Sequence, residues 1–320
     1  MRTRPALLIV TVLAALTACA APADTPRNAA ASGAPAINTS PEQNRIIPAR
    51  VDAIAALLPD AVRTAGTLTI GSGAAGSGFP PLAFTATDNT TLIGNEPDIA
   101  VAVAGILGLR PQLENTSWEN LFIGLDSGKY QLGASNITVT EERKKKYDFV
   151  TYRLDNLAFE ARQGGDWRVT GPADVAGKKI SVSSGTNQEK ILVDWSKQDV
   201  ANGLKPVDIK YYQTNQATWL ALGSGQIDAY LGPNPGAAYH VAIAGETEII
   251  GTYSGAGADL QGKIAVTTKK DNGLIKAYAA AVDELIRSGD YAKILARWNL
   301  SNEAVPAAEI NPPGLPLEIK

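Results

Sequence analysis

A single cysteine, Cys19, a single histidine, His240, and one glycine-rich turn, Gly71-Ser72-Gly73-Ala74-Ala75-Gly76, are the features most open to a chemical reading. One thiol excludes an intrachain disulfide framework and a multi-cysteine zinc site. One imidazole excludes a poly-histidine metal site and leaves His240 as the sole base for a serine or cysteine hydrolase. His240 lies in the apolar run Tyr239-His240-Val241-Ala242-Ile243, which reads as a helix carrying a structural or surface histidine. The glycines match the G-x-G-x-x-G dinucleotide fingerprint, and an acid, Glu96, lies twenty residues beyond Gly76. That mechanism needs a helix to begin inside the glycines, so that its N-terminus faces the pyrophosphate. Pro80 and Pro81 would stop such a helix within a turn. A glycine loop at the carboxyl end of a strand is expected instead. The run Glu141-Glu142-Arg143-Lys144-Lys145-Lys146 reads as a solvated charge cluster, with Arg143 set apart below.

The chain has 320 residues, of which 45% are hydrophobic and 19% charged. That length suits about two domains of ordinary size, each with a core large enough to be stable without staples. The net charge of −3 gives no footprint for nucleic acid, and no basic stripe stands out. No cofactor or metal is implied.

The first residues read as an address. Arg2 and Arg4 precede an apolar run from Ala6 to Ala15, too short to span a bilayer core of ~30 Å as a helix. Basic residues before it and small residues after it mark an export signal, residues 1–18. Its end, Leu16-Thr17-Ala18-Cys19, resembles a bacterial lipobox, in which the cysteine thiol is acylated and becomes the first mature residue. One acyl chain holds a membrane only marginally, whereas a diacylglyceryl group supplies two. Residues 19–45 are rich in Ala, Pro, Thr, Ser and Asn, too poor in branched apolar side chains to fold, and are expected to be a flexible tether. The protein is thus expected on the extracytoplasmic face of the cell membrane, anchored to the bilayer through Cys19.

From about residue 46 helices and strands alternate. Val51, Ile54, Leu57 and Leu58 mark a helix face, and Leu68-Thr69-Ile70 a strand. Asp98 can cap a helix closed by Gly108, and Ser117 can cap the helix Trp118–Asp126. Leu132–Ala134 and Tyr147-Asp148-Phe149 read as short strands. A second series follows: strands at 179–182, 209–212, 227–231 and 264–266, interleaved with helices at 187–197, 216–222, 236–244, 274–287 and 291–298. Strands separated by helices imply mostly parallel sheets flanked by helices. The tail from Pro306 to Lys320 has four prolines and looks extended.

The stretch Trp118–Phe149, WENLFIGLDSGKYQLGASNITVTEERKKKYDF, resembles family 3 extracellular solute-binding proteins, the polar amino-acid receptors of ABC importers. Their usual text has an aromatic residue, a "LIPGL-SGK-D" helix and strand, then "S-x-T-I-T-x-E-R" and "DF". Gly94–Leu107 is similar to the "GFDVDLA" helix, Ser183–Glu189 to the "GTTQE" turn, and Gly225–Ala229 to "GRVDA". Lys263–Trp298 is similar to the closing helices, so the resemblance covers about Leu68–Trp298. It implies a two-lobe α/β clamp of the periplasmic-binding-protein type II kind. Lobe one would be residues 46–155 and 253–320, lobe two residues 156–252, joined by a two-segment hinge. Ligand would bind in the cleft and the lobes would close on it.

Carried over residue by residue, Arg143 takes the place of the carboxylate-clamping arginine, whose planar fork makes two parallel charge-assisted bonds. Thr138 and the backbone around Ser135 and Asn136 would complete the carboxylate pocket from lobe one. Thr186 and Asn187, with Ser183 nearby, lie at a helix start, where free N–H groups favour an anion. Trp118 and Phe79 match the aromatic rings that sandwich the ligand. One departure matters: the aspartate that binds the ligand's ammonium is replaced by Pro233, with Asn234 the nearest polar residue. A substituted, quaternary or absent α-amine would fit that change, as would another acid reaching the cleft.

The implied function is non-enzymatic: a lipid-anchored receptor, expected to be monomeric, that captures a small carboxylate-bearing solute such as an amino acid, a betaine-like solute or a derivative, and delivers it to an ABC permease. The alternatives are a cyclohexadienyl dehydratase-like enzyme, which needs a cleft acid, and a ligand-sensing subunit of a signalling system.

Overall fold

The computed structural model describes residues 36–73 and 78–318. The expected export signal, Cys19 and residues 74–77 of the glycine turn lie outside the described residues.

The chain runs α1 (Asp52–Ala55), α2 (Asp60–Ala65), β1 (Thr67–Gly73), β2 (Gly78–Phe79), β3 (Ala83–Thr85), β4 (Leu92–Ile93), α3 (Asn95–Leu107), β5 (Arg110–Thr116), α4 (Trp118–Ser127), β6 (Leu132–Gly133) and β7 (Tyr147–Arg162). It continues through β8 (Lys179–Ser181), α5 (Asn187–Ala201), β9 (Asp208–Lys210), α6 (Asn215–Gly223), β10 (Ala229–Pro233), α7 (Asn234–Ala244), β11 (Thr247–Ser254), β12 (Gly262–Lys269), α8 (Ile275–Ser288) and α9 (Asp290–Arg297). The described chain resumes after the glycines as β2, a strand, where a dinucleotide site needs a helix.

The strands order as β5-β1-β6-β12-β7-β10-β8-β9, with β11 also on β7. Parallel pairs, each spanning at least one helix, join β1 to β5 and β6, and β8 to β9 and β10. The strand expected at Tyr147–Phe149 is instead 16 residues long and buried on nearly its whole length. Its first part, Tyr147–Asp155, pairs antiparallel with β12, and its second part, Asn156–Arg162, pairs antiparallel with β11 and β10. The two halves of the fold therefore share one strand, and this is why the sheet is mixed.

Two main cores flank that strand. Ile70, Val103, Val266, Leu285 and Trp298 belong to the first, and Leu157, Phe159, Ile180, Ile191 and Trp195 to the second. Trp195 stacks on Phe159 at 5.8 Å, closing the second core under α5.

Two local details differ from the sequence reading. α3 begins at Asn95 behind Gly94, not at Asp98. Gly94 has φ 126°, and a Cβ there would lie 2.2 Å from the Leu82 carbonyl oxygen, so the helix start is set by backbone fit. Asp98 is buried instead, accepting from Trp298 Nε1 at 2.9 Å and Arg45 Nε at 2.8 Å. The segment expected to be flexible as far as residue 45 is held from residue 37 onward. Ile37 packs on the first core, Thr39 accepts from Thr87 N at 3.0 Å, and the Arg297 guanidinium reaches the Gln43 carbonyl at 2.5 Å. The tail runs along β7, with Thr151 N donating to Glu309 O at 3.0 Å and Asn311 N to Phe149 O at 3.0 Å.

Candidate functional site

Between the halves lies a cavity of about 240 Å³. Its position follows from the topology. Strands β1, β5 and β6 end at it from one side and β8, β9 and β10 from the other, the place where open α/β sheets expose loops to a ligand.

The first half contributes two aromatic walls. Ser117 ends β5's loop and caps α4, its Oγ accepting from Asn120 N at 3.3 Å. That fixes Trp118 as the first helical residue. Its ring is held edge-on by Phe122 at 5.0 Å and covered by the Arg143 guanidinium at 5.1 Å. Phe79, on β2, lies against Gly236 of α7, where any Cβ would fall 1.8 Å from the ring. Ser135 and Asn136 follow β6. Ser135 Oγ accepts from Gly73 N at 3.1 Å, and Asn136, at φ 48°, donates its N–H to Glu96 Oε2 at 2.5 Å. Glu96 also accepts from Tyr152 Oη at 2.9 Å and Arg153 Nη2 at 3.3 Å. Burial pushes its carboxyl above the ordinary range, against the pull of Arg153 and Tyr152.

The second half contributes the N-terminus of α5 and the loop before α6. Thr186 caps α5, accepting from Glu189 N at 3.2 Å and donating to Ser183 O at 2.6 Å. Asn215 reaches across to Gly78 O at 3.0 Å, and Arg143 reaches Gly185 O at 3.1 Å.

Of the residues singled out in the sequence, Phe79, Trp118, Ser135, Asn136, Ser183, Thr186 and Asn187 line the cavity. Arg143, Thr138 and Asn234 do not. Arg143 spends its fork on the carbonyls of Thr138, at 2.9 Å, and Gly185, so it buttresses Trp118 from outside the wall. Thr138 is buried with its hydroxyl donated to Asp155 at 2.7 Å. Asn234 is the first residue of α7, and the wall at that point is Pro233. Asn187 lines the cavity, and its side-chain amide donates to Asp155 at 3.2 Å and Gly255 O at 3.0 Å.

Sequence reasoning missed Glu96, Thr116, Tyr211, Tyr212 and Tyr230. Tyr211 and Tyr212 follow β9 directly, so the strand-end rule could have found them. Tyr230 lies inside β10, and nothing local marks it. His240 is no part of the wall: its Nδ1 meets the buried Glu160 carboxylate and its ring stacks on Trp219 at 4.2 Å.

The sequence profile of the bacterial extracellular solute-binding proteins, family 3, matches residues 72–301. Among similar proteins, the arginine-binding protein ArgT of Corynebacterium glutamicum is 29% identical over 83% of this chain and 85% of its own. The L-cystine-binding protein TcyJ of Escherichia coli is 29% identical over 74% of this chain and 84% of its own. Among solved structures, an ancestral arginine-binding protein bound to arginine aligns with a TM-score of 0.63 at 28% identity, covering 73% of this chain and 98% of that one. The substrate-binding protein AbpA of Streptococcus pneumoniae bound to L-arginine aligns at 0.62 and 25% identity, over 76% and 99%. The matched span takes in β7, most of both cores and every residue that lines the cavity, and the chain belongs to the bacterial extracellular solute-binding proteins of family 3.

Proposed function

We propose that this protein captures an amino acid or a close derivative between its two halves, closes on it, and delivers it to an ABC permease, while acylated Cys19 holds it to the outer face of the cell membrane. It does no chemistry on the solute. The observation that carries the reading is the character of the cavity. Trp118 and Phe79 wall it, and among the described lining residues the charged side chains are Glu96 and Glu119, both acids. Aromatic faces and carboxylates together favour a cationic group on the solute. With Pro233 where the resemblance expects an ammonium-binding aspartate, Glu119 is the lining acid left for that task, since Glu96 is already bonded to Arg153, Tyr152 and Asn136 N. The arginine-binding relatives support a solute of this charge.

A thermal-shift screen over L-arginine, L-lysine, L-histidine, L-cystine, L-glutamine and glycine betaine tests it. A solute at 100 times its dissociation constant stabilises by about 2.7 kcal/mol, which moves the melting temperature visibly. Cationic amino acids are expected to head the ranking. No shift with any member of the panel would sink the reading. For the anchor, Cys19→Ser is expected to release the protein from membranes and abolish fatty-acid labelling; a variant still bound and labelled would end that part of the proposal.

A further inference from the structure

Asp155 sits where β7 passes from one half to the other, and it is buried. A side chain from each half meets the same carboxylate oxygen. Thr138 Oγ1, from the first half, donates at 2.7 Å, and Asn187 Nδ2, on the first turn of α5 in the second, donates at 3.2 Å. The return crossover is there too: Gly255 N donates to Asp155 O at 3.0 Å, and a Cβ on Gly255 would fall 1.7 Å from Asp155 Oδ2. The carboxylate thus occupies the joint of the clamp and is bonded by both jaws.

We propose that Asp155 is a proton-linked latch: the halves close over its carboxyl, and closure takes up a proton there. This rests on the reading that the halves open and close, and it adds a pH dependence that the reading does not contain.

The charged groups facing Asp155 are Arg143 from the loop before β7, Arg153 two residues back on β7, and Glu303 beyond α9. The arginines favour the carboxylate and Glu303 opposes it, as does burial, the largest influence. The balance lifts the carboxyl from 3.8 to about 6 in this arrangement. Opening removes Asn187 and admits water, returning the group toward its ordinary value. An acid whose pKa is higher in the closed form binds more protons there. Closure is then favoured at low pH and weakens as pH rises through about 6. Between pH 7 and pH 5 the closed-to-open ratio rises about tenfold.

The test needs no solute. Donor and acceptor dyes are placed on the full chain at Leu57→Cys and Leu220→Cys, exposed positions in opposite halves, with Cys19→Ser to keep labelling specific. Energy transfer is followed from pH 7.5 to 5. The expected result is a rise in the closed population as pH falls, absent in Asp155→Asn. Thr138→Val, which removes a hydroxyl that favours the charged form, is expected to move the midpoint to higher pH and decides the matter if Asp155→Asn does not fold. A flat titration of the parent protein, an unchanged titration in Asp155→Asn, or a Thr138→Val midpoint that stays or falls would overturn the latch. A failed solute screen would overturn the receptor reading instead, so the two failures are distinct.

Discussion

Arg153→Met is expected to destabilise the protein by about 3–5 kcal/mol, read as a fall in the urea midpoint of unfolding. Arg153 is buried on β7 between two buried carboxylates, Glu96 and Glu303, and it also donates to Asn136. Removing its charge leaves both acids facing each other in a low-dielectric interior, which costs far more than the loss of any single bond. Tyr152 and Asn136 N would remain to hold Glu96, but nothing comparable would remain for Glu303. Adding Glu303→Gln to Arg153→Met is expected to recover part of the loss, because an unpaired amide is cheaper to bury than an unpaired carboxylate. By comparison, breaking an exposed pair such as Arg63–Asp60 is expected to move stability by at most ~1 kcal/mol. If Arg153→Met behaves like the exposed pair, the buried network contributes nothing of the kind argued here.

Trp118→Ala is expected to weaken solute binding by roughly 30-fold or more, the scale of an anchoring aromatic in a desolvated pocket. The ring is a wall of the cavity, and its orientation is set by Phe122 on one side and Arg143 on the other. Arg143→Ala is expected to weaken binding by at least tenfold through the same wall, since it frees Trp118 and the Gly185 carbonyl together. Arg143→Lys is expected to rescue little, because an ammonium cannot bond both carbonyls while lying flat on the indole. Calorimetry with the best solute from the screen measures all three, with circular dichroism confirming that each variant is folded. Unchanged affinity in Trp118→Ala would remove the cavity from consideration as the binding site.

Local signals in this sequence were strong where a few neighbouring residues decide the outcome. Ser117 before Trp118 and Thr186 before Asn187 are caps that can be read from the chain, and both start the helices they were expected to start. Gly108 likewise ends α3. Signals failed where the deciding partner is distant. The start of α3 depends on how Gly94 passes the Leu82 carbonyl, which no pattern of capping residues reveals. The course of Arg143 depends on the Gly185 carbonyl, 42 residues away. In this arrangement the guanidinium expected to face a solute bonds the Thr138 and Gly185 carbonyls and covers the ring that lines the cavity. Strand β7 reads as three residues in the sequence although it has 16, because the turn-forming pair Asp155-Asn156 lies inside it and only pairing with distant strands keeps it extended.

That passage has a consequence for how such a molecule can be cut and rejoined. The second half leaves through Asn156 and comes back through Ser254, and these two residues are register partners on adjacent antiparallel strands. The whole second half is therefore a cassette with its entry and exit side by side. Two splice points, facing each other across a single strand pair, would suffice to exchange it for the corresponding cassette of a relative, leaving the first half and its share of the cavity wall in place.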